Sequence, residues 1–389
     1  MKILHVIPTV DPASGGPAEA VRQLCQIYRS GSHDVEVASL DAPQSIGQFD
    51  FPVHAHALGP GSGVYGYSAR AGRWFKENIA RFDVVFLNGV WQYDTLAAYR
   101  ALRASKTPYA VFPHGMLDPY FERQFPLKHA KKLVYWQLFL RRILRDAAAV
   151  LFTCEEERTL ARQSFPGYKV REMVAPLGTF GPDCDLADAA AQVLAQWPEL
   201  RGKRVASTIG RIHPKKGTDL LIEAFARTLA NDPAWHLLIA GPDQTGWQKD
   251  LEAKAARLGV AESITWTGMV KGPLKWGVFT ASEVFVLPSH QENFGIVVAE
   301  AMASSTPVIL SDKVNIWREV KSHGAGLICE DTAASVAAAM ERWTAMSSDE
   351  TAAMRTRSMA CFDELFNYDV TAHRALEIVE QVAHRQVPQ

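Results

Sequence analysis

The sequence has few cysteines, and none of them has the spacing of a metal site. The five are Cys25, Cys154, Cys184, Cys329 and Cys361, which lie far apart in the chain. An odd number of distant cysteines argues against a disulfide framework and against a Cys-x-x-Cys zinc site. A reducing compartment fits this pattern best, so we expect a cytoplasmic protein.

Long hydrophobic runs and an excess of charge of one sign are also missing. No stretch approaches the roughly 20 apolar residues needed to cross a bilayer. The apolar start of the chain is interrupted by Pro8 and predicts a buried strand rather than the core of a signal peptide. The formal net charge of −1 gives no whole-molecule field that would attract nucleic acid.

Several familiar catalytic motifs are absent. There is no G-x-G-x-x-G dinucleotide fingerprint and no H-E-x-x-H, and Gly210–Gly217 lacks the Ser or Thr that a P-loop places after its lysine. Asp183-Cys184-Asp185 matches a D-x-D pattern but lies in a Pro- and Gly-rich segment that follows no apolar strand. A metal–nucleotide site needs rigid support, so we expect no metal there.

The chain does contain a repeated alternation of short apolar runs and longer amphipathic segments. Such alternation predicts an α/β fold with parallel sheets covered on both faces, and 389 residues are enough for two cores. The predicted strands are 3–7, 35–40, 84–87, 109–112 and 150–153, then 204–209, 235–240, 264–267, 284–287, 307–310 and 326–329. The predicted helices between them are 18–28, 70–80, 95–104 and 127–145, then 219–230, 247–258 and 294–303.

The alternation is interrupted once, in a segment that indicates a domain boundary. Residues 176–203 are rich in Pro and Gly and predict a linker with one short helix over 187–196. We therefore expect two doubly wound, Rossmann-like domains, over residues 1–178 and 179–364. A terminal helix over about 365–389 has no strand partner and is expected to pack back on the first domain.

Ligands of open parallel sheets bind at the carboxyl ends of the strands, which directs attention to the loops there. The first such loop in the second half runs from Gly210 to Gly217 and carries Arg211 and Lys216 just before a helix. Helix amino termini favour anions, and these side chains add a forked donor and a point charge. The alternative is a solvated basic turn.

A second loop is Ser-His-Gln-Glu-Asn-Phe-Gly over 289–295, and it brings carboxylates to the same region. Glu292 lies near the predicted helix start and Glu300 eight residues later, which on a regular helix is about 12 Å of rise. Glu300 is flanked by apolar residues, and a buried carboxylate needs partners. The two acids are suited to opposite parts of one extended ligand, with amides of Asn293, Phe294 and Gly295 between them; a capping role and a solvated face are the alternatives.

Other loops offer weaker signals. Backbone groups of Met269 and Val270 follow a strand and are suited to a flat base edge. In the first half, Gly15 and Gly16 permit close approach of a ligand to the backbone, or form an ordinary turn. His114 follows a strand beside Gly115 and is either a ligand group or a core histidine. Residues predicted to line an acceptor site are Asn88, Trp91 and Tyr93.

Residues 127–145 form a basic segment with interspersed aromatics, LKHAKKLVYWQLFLRRILR. A basic amphipathic helix of this kind is typical of contact with a membrane surface or an anionic acceptor. An internal helix with one polar face explains the pattern equally well. If the first interpretation holds, the protein associates peripherally with the inner face of the membrane.

The motifs of the second half, taken together, resemble the retaining family 4 glycosyltransferases of GT-B fold. They are G-R-x-x-x-x-K-G at 210–217, then E-N-F-G with Glu-x7-Glu at 292–300, then P-V-I at 307–309. The resemblance implies two domains that face each other across a cleft. It also implies that Arg211 and Lys216 bind a donor diphosphate, that Glu292 accepts hydroxyls of the transferred sugar and that Glu300 accepts those of the ribose.

In the first half the resemblance assigns Gly15 and Gly16 to the phosphate and acceptor side and His114 to the donor sugar. It implies transfer with retention of configuration, no cofactor and no essential metal, from a UDP- or GDP-sugar to a glycan or lipid-linked glycan of the bacterial surface. Two other functions stay open: a nucleotide-sugar epimerase of the same shape, and a non-catalytic nucleotide-sugar-binding protein. An NAD-dependent dehydrogenase would need the missing glycine fingerprint.

Overall fold

Continuous apolar runs form the central strands of two separate parallel sheets. The computed structural model describes residues 1–124, 126–230 and 232–384, apart from the side chains at 121 and 123. The strands of the first sheet are β1 (Lys2–Ile7), β2 (Asp34–Ser39), β3 (His54–Ala57), β4 (Val84–Asn88), β5 (Tyr109–Phe112), β6 (Ala149–Phe152) and β7 (Glu172–Val174). Their order across the sheet is β3-β2-β1-β4-β5-β6-β7.

The two edge strands of this sheet were not predicted. The residues of β3 and β7 are mostly half-buried rather than buried, so neither segment has the apolar run that identifies an inner strand. The five inner strands lie within a residue or two of the predicted ranges. Strand order reverses between β1 and β4, which makes that point a topological switch.

The strands of the second sheet are β8 (Arg204–Ile209), β9 (Trp235–Ala240), β10 (Ile264–Gly268), β11 (Val284–Leu287), β12 (Val308–Ser311) and β13 (Gly326–Cys329). Their order across the sheet is β10-β9-β8-β11-β12-β13, with all pairs parallel. The switch point of this sheet lies between β8 and β11. Each strand is among the six predicted from apolar runs, because all but the outer ones are buried on both faces.

Helices connect the strands of both sheets. In the first half they are α1 (Gly16–Ser30), α2 (Pro43–Ile46), α3 (Ala69–Asn78), α4 (Tyr93–Ser105), α5 (Tyr120–Gln124), α6 (Pro126–Tyr135), α7 (Arg141–Asp146) and α8 (Glu155–Ala161). In the second half they are α9 (Leu186–Gln196), α10 (Thr218–Thr228), α11 (Gln248–Arg257), α12 (Pro273–Thr280), α13 (Ile296–Ala303), α14 (Trp317–Ser322), α15 (Ala333–Thr344), α16 (Ser348–Cys361) and α17 (Tyr368–Ala383).

Helix α9 is part of the second core rather than an isolated piece of linker. A Cβ atom added to Gly277 on α12 would lie 2.2 Å from the carbonyl oxygen of Ala189 on α9. The two helices therefore meet backbone to backbone at a position that only glycine fits. Asp185, one acid of the D-x-D pattern, caps α9 by accepting a hydrogen bond from the amide of Asp188.

The chain divides into two compact units, one from Met1 to Leu177 together with the segment from Thr371, and one from Gly178 to Val370. The first boundary lies one residue before the predicted one. Within the first unit α17 approaches Gly31, where an added Cβ would lie 2.5 Å from a methyl group of Leu376. The last five residues of the predicted terminal helix lie outside the described part of the chain.

The basic segment at 127–145 is helical throughout but is not one regular helix. It comprises α6, a π-helical turn at Trp136–Leu140, and α7. Trp136, Leu140, Ile143 and Leu144 are buried, whereas Leu127, Val134 and Leu138 are more than half exposed. Across the residues that the structure describes, none of the helices combines the length and the apolar character required to traverse a bilayer.

Candidate active site

The predicted site residues of the second unit lie in loops at one edge of its sheet, except Glu300, which lies on α13. Because all six strands run parallel, the loops that follow β8, β9, β10, β11 and β12 leave from their carboxyl ends at the same edge. The basic loop follows β8, Met269 and Val270 follow β10, and the loop with Glu292 follows β11. The sheet order places the β8 and β11 loops side by side.

The basic loop is held by its own backbone and by the β11 loop. Its Pro214–Lys216 portion is a short 3-10 helix, capped by His213, whose Nδ1 accepts from the amide of Lys215. The amide of His290 in the β11 loop donates to the carbonyl of Lys215 at 2.8 Å. Gly217 ends the loop with φ +66°, and a Cβ there would lie 2.1 Å from the carbonyl oxygen of Pro288.

Lys216 and Glu292 form an ion pair between the two loops, with both side chains about one-fifth exposed. The backbone of Glu292 is fixed from the β12 side, because its amide donates to Lys313 and its carbonyl accepts from Asn315 at 2.9 and 3.1 Å. Two of the predicted site residues are therefore in direct contact. The ammonium and the carboxylate neutralise each other until a ligand competes for one of them.

The predicted spacing of Glu292 and Glu300 along one regular helix is wrong. Helix α13 begins at Ile296, after Gly295 in the left-handed region at φ +76°, so Glu292 precedes the helix by a full turn. The eight residues from Glu292 to Glu300 are therefore not two turns of one regular helix. The amides at the start of α13 lack helical acceptors, as at any helix amino terminus.

Glu300 is 8% exposed and has a cationic partner that the sequence did not reveal. Its Oε1 accepts from Nζ of Lys275 on α12 at 2.8 Å. The same ammonium lies 4.6 Å from the ring centroid of Trp276. The buried carboxylate is thus paired, as expected, but no spacing in the sequence connects residues 275 and 300.

Of the remaining residues predicted to bind the donor, some are exposed and others are packed against neighbouring side chains. Arg211 is exposed, forms no ion pair within the described chain, and donates to Oε1 of Gln244 at 3.4 Å. Met269 is likewise exposed. Phe294 is buried and packs edge-on against Phe366, so this residue offers only its backbone to a ligand. Gly210 lies against the aliphatic part of the Lys216 side chain.

In the first unit, His114 is held in a defined orientation and charge state. Its backbone is left-handed at φ +51°, its ring stacks on Phe112, and its Nε2 lies 3.1 Å from Oδ1 of Asn88. The amide nitrogen of Asn88 donates to the carbonyls of Val6 and Phe86, which identifies Oδ1 as the acceptor. Nε2 of His114 therefore carries the proton. Burial lowers the pKa of His114 to about 4, so the imidazole is neutral near pH 7 and Nδ1 is left as an acceptor.

The loop after His114 is anchored by a buried glutamate that sequence reasoning missed. Glu157, 3% exposed on α8, accepts from the amide of Gly115 at 2.6 Å. Its other oxygen accepts from the amide and hydroxyl of Thr153 at 2.7 and 2.8 Å. A glutamate three residues into a helix looks like an ordinary first-turn acid, so nothing in the sequence distinguishes it.

Two of the three predicted acceptor residues, Asn88 and Tyr93, are buried. Asn88 is 1% exposed, with its amide committed to His114 and to backbone carbonyls. Tyr93 is 8% exposed and packs on Tyr65 and Tyr67. Trp91 is partly exposed, but its Nε1 donates to the carbonyl of Met116. Asn88 and Tyr93 are too deeply packed to line an acceptor site.

The glycine pair of the first unit lies at a helix entrance, as predicted. Gly15 has φ +98° and caps α1, which starts at Gly16. That conformation strongly favours glycine at residue 15. A Cβ at Gly16 would meet no atom within 4 Å, so the space above this residue is open.

Two family descriptions match the chain, one in each half. The description "Glycosyl transferase 4-like domain" matches residues 15–178, and "Glycosyl transferases group 1" matches residues 192–358. The matched ranges contain His114 in the first case and Arg211, Lys216, Glu292 and Glu300 in the second.

Curated relatives include enzymes that transfer sugars. A GDP-mannose:cellobiosyl-diphosphopolyprenol alpha-mannosyltransferase of Xanthomonas campestris is 26% identical over 369 residues, covering 92% of each chain. A D-inositol 3-phosphate glycosyltransferase of Geodermatophilus obscurus is 36% identical over 152 residues. That second match spans 36% of this chain and only 34% of the relative, about a third of its length.

Solved structures share the fold over nearly the whole chain. Anabaena HepE, in complex with UDP and glucose, has a TM-score of 0.77 at 18% identity and covers 98% of this chain and 99% of its own. WaaG, a glycosyltransferase involved in lipopolysaccharide biosynthesis, has a TM-score of 0.72 at 15% identity, with 97% and 99% covered. With one sugar-transferase description on each sheet and the basic and acidic loops inside the matched ranges, the chain belongs to the family 4 glycosyltransferases (glycosyl transferases group 1) of GT-B fold.

Proposed function

We propose that this glycosyltransferase moves a hexose-type sugar from a UDP or GDP donor to a hydroxyl of a glycan or lipid-linked glycan. The observation that carries the proposal is the Lys216–Glu292 pair, with Arg211 in the same basic loop as Lys216 and the paired Glu300 on α13, the helix that follows the β11 loop. These groups offer cations for a diphosphate and carboxylates for sugar and ribose hydroxyls. Support for the substrate class comes from the relative named for GDP-mannose and from HepE in complex with UDP and glucose.

In the proposed reaction, the bond between the anomeric carbon and the donor phosphate oxygen breaks as the acceptor oxygen forms a new bond to that carbon. Arg211, Lys216 and the first amides of α13 stabilise the negative charge that develops on the departing diphosphate. Lys216 exchanges the carboxylate of Glu292 for the phosphate, which frees Glu292 for sugar hydroxyls. These protein cations supply the charge, so the proposed reaction needs neither a metal nor a cofactor.

We infer retention of configuration from the resemblance to retaining members of the family. A same-face attack, in which a donor phosphate oxygen takes the acceptor proton, requires no enzyme nucleophile. His114 of the first unit contributes a neutral imidazole with Nδ1 as a hydrogen-bond acceptor for the donor sugar. Gly15 and Gly16 have no side chains, so the donor phosphate and the acceptor can approach the backbone there.

The proposed place of the reaction is surface polysaccharide synthesis in a bacterium, at the cytoplasmic face of the membrane. Leu127–Arg145 would provide peripheral contact, since it carries lysines and arginines beside the exposed Leu127, Val134 and Leu138. Two relatives support this proposed role: one is named as a mannosyltransferase that acts on cellobiosyl-diphosphopolyprenol, and the other as a mannosyltransferase of lipopolysaccharide core biosynthesis.

The test is a panel of UDP- and GDP-hexoses, assayed for release of nucleoside diphosphate with and without glycan acceptors. We expect slow hydrolysis of one donor and faster release when a suitable acceptor is added, with the product sugar in the donor's anomeric configuration. Conversion of the donor sugar without any acceptor product would identify an epimerase. Binding of donor without release, across the whole panel, would identify a binding protein and contradict the proposal.

A further inference from the structure

An arginine-lined groove in the first unit lies outside the loops described above. It opens between α4 and the helical segment 136–146 and has a volume of about 430 Å³. Three guanidinium groups surround it, those of Arg100, Arg103 and Arg142. Part of its wall is apolar, formed by Leu96, Leu138 and Phe139.

The three arginines of this groove have no acid to neutralise them. None of them forms an ion pair with any described residue, and all three are exposed. The nearby Asp146 is already engaged, because it accepts from the hydroxyl of Tyr99 at 2.6 Å and from both Nε and Nη2 of Arg145. Like charges held close together repel each other, so an anion bound among the three guanidinium groups would be attracted by all of them and would reduce this repulsion.

The chemistry of the groove suits a phosphate ester. Guanidinium groups bind phosphate oxygens with paired, geometrically matched hydrogen bonds. The volume falls within the range of small-ligand sites, about 300 to 1,000 Å³. The apolar wall lies beside the cations, so the favoured ligand carries a hydrocarbon part next to its phosphate.

The surroundings of the groove indicate that this ligand is a lipid. Leu138 lines the groove and is 57% exposed. Val134 and Leu127, one and nearly three turns earlier on the same helical segment, are 59% and 83% exposed. Large apolar side chains in contact with water beside a cationic groove are suited to the boundary between lipid head groups and acyl chains.

We propose that this groove binds the phosphate head group of an anionic phospholipid, with Leu127, Val134 and Leu138 in contact with the acyl region. Arg100, Arg103 and Arg142 hold the phosphate, and the glycerol portion lies against Leu96 and Phe139. The proposal deepens the membrane contact proposed above by giving it a defined binding site. A diffuse basic surface would bind membranes without any such site.

The test uses a phospholipid that stays monomeric in solution, dihexanoylphosphatidylglycerol below its micellar concentration, titrated into the full-length protein. We expect saturable binding with one site per chain and no comparable binding of dihexanoylphosphatidylcholine, which has no net charge. Ala104→Glu introduces a carboxylate into the groove and should abolish saturable binding. Ala256→Glu makes the same charge change on α11 in the second unit and should leave binding unchanged.

A second pair of variants separates the groove from general basicity. Arg142→Gln should weaken binding about fivefold, the effect of one cation near an anionic lipid. Lys131→Gln removes an exposed charge from the same helical segment without touching the groove and should have a smaller effect. Equal effects of both variants would overturn the proposal.

The other arms distinguish the source of the phosphate and the state of the enzyme. Glycerol 1-phosphate that binds as tightly as the short-chain lipid would identify a soluble phosphate ester and contradict a lipid site. If the wild-type protein binds vesicles of phosphatidylcholine and phosphatidylglycerol but not the monomeric lipid, the membrane contact stands and the groove is not the lipid-binding site, which contradicts the proposal. Donor hydrolysis is measured on the same preparations, so loss of the proposed activity is recognised separately.

Discussion

The carboxylate of Glu157 accepts a hydrogen bond of 2.6 Å from the backbone amide of Gly115, the residue that follows His114. The same carboxylate binds the amide and hydroxyl of Thr153 at the end of β6. One buried acid therefore connects the loops that follow two neighbouring strands, β5 and β6. Asn88, at the end of β4, holds the imidazole of His114 from the other side.

Replacing Glu157 by Gln should lower turnover while leaving the donor KM nearly unchanged. The carboxamide retains the shape of the side chain but has one acceptor oxygen fewer, so its NH2 group faces the amide of either Gly115 or Thr153 and weakens the anchor of the His114 loop. A loss of about tenfold in kcat corresponds to about 1.4 kcal/mol at the transition state. Initial rates of nucleoside diphosphate release over a range of donor concentrations measure both constants.

The control for this variant is Glu155→Gln, an exposed acid on the same helix whose ion pair is with Arg158. It should keep wild-type rates. The Glu157→Gln protein should also unfold at a lower temperature, since hydrogen bonds to a charged group contribute about 1.5 to 3 kcal/mol. Equal kcat values in the two variants would show that the anchor has no part in positioning His114.

Arg211→Ala, Lys216→Ala and Glu292→Ala should each reduce turnover by about 10²-fold or more, the typical effect of losing one transition-state contact. The Lys216–Glu292 ion pair adds a distinguishing feature. Removing Glu292 releases Lys216 for the diphosphate, so nucleoside diphosphate should bind this variant at least as tightly as the wild type. Removing Lys216 or Arg211 should weaken the same binding.

Calorimetric titration of UDP and GDP into the three variants measures this difference, with Lys249→Ala on the exposed face of α11 as the control. Full activity in all three variants with intact folds would refute the assignment of the basic and acidic loops. Weaker diphosphate binding by Glu292→Ala would instead mean that the carboxylate orients Lys216 rather than competing for it.

Sequence reasoning predicted the inner strands well because they are buried on both faces and appear as unbroken apolar runs. Tyr109–Phe112, Arg204–Ile209 and Val284–Leu287 match the prediction residue for residue. The edge strand His54–Ala57 was missed because it alternates small and polar residues in a half-buried position. Short helices such as Pro273–Thr280 were missed too, since this one is mostly apolar and has no amphipathic period.

Within the site, sequence reasoning found the residues of the second unit through loop position and charge. It failed where the partner is distant in the chain and chemically ordinary, as for Lys275 against Glu300. Asn88 was predicted as an acceptor contact because it follows a strand, but polarity at a strand end does not reveal which way a side chain points. Its amide turned out to hold His114.

Gly217→Ala should disrupt the basic loop, whereas Gly202→Ala should be tolerated. Both glycines are left-handed, at φ +66° and +73°, so both substitutions carry the same backbone strain of about 1–2 kcal/mol. Only at Gly217 does the added carbon collide with another atom, the Pro288 carbonyl oxygen 2.1 Å away; at Gly202 nothing lies within 4 Å. The extra loss of stability at Gly217, and its loss of diphosphate binding, measure how tightly the β8 and β11 loops are packed. Similar denaturation midpoints in the two variants would contradict this packing.

Asp94→Asn should stabilise the protein more at pH 8 than at pH 5. Asp94 is 1% exposed on α4, and burial raises the pKa of its carboxyl to about 7. In the unfolded chain the carboxyl has its ordinary pKa near 3.8, so between these values the folded state binds more protons and wild-type stability falls as the pH rises. The slope from this one group is at most about 1.4 kcal/mol per pH unit. Asparagine does not titrate, so the stability gained by the variant should grow from pH 4 to pH 7 and then level off. Urea denaturation of both proteins at pH 5, 6, 7 and 8 tests this prediction. Asp250→Asn, on the exposed face of α11, is the control and should show no such trend. If the difference in stability between wild type and Asp94→Asn stays constant with pH, Asp94 is ionised in the folded protein throughout this range.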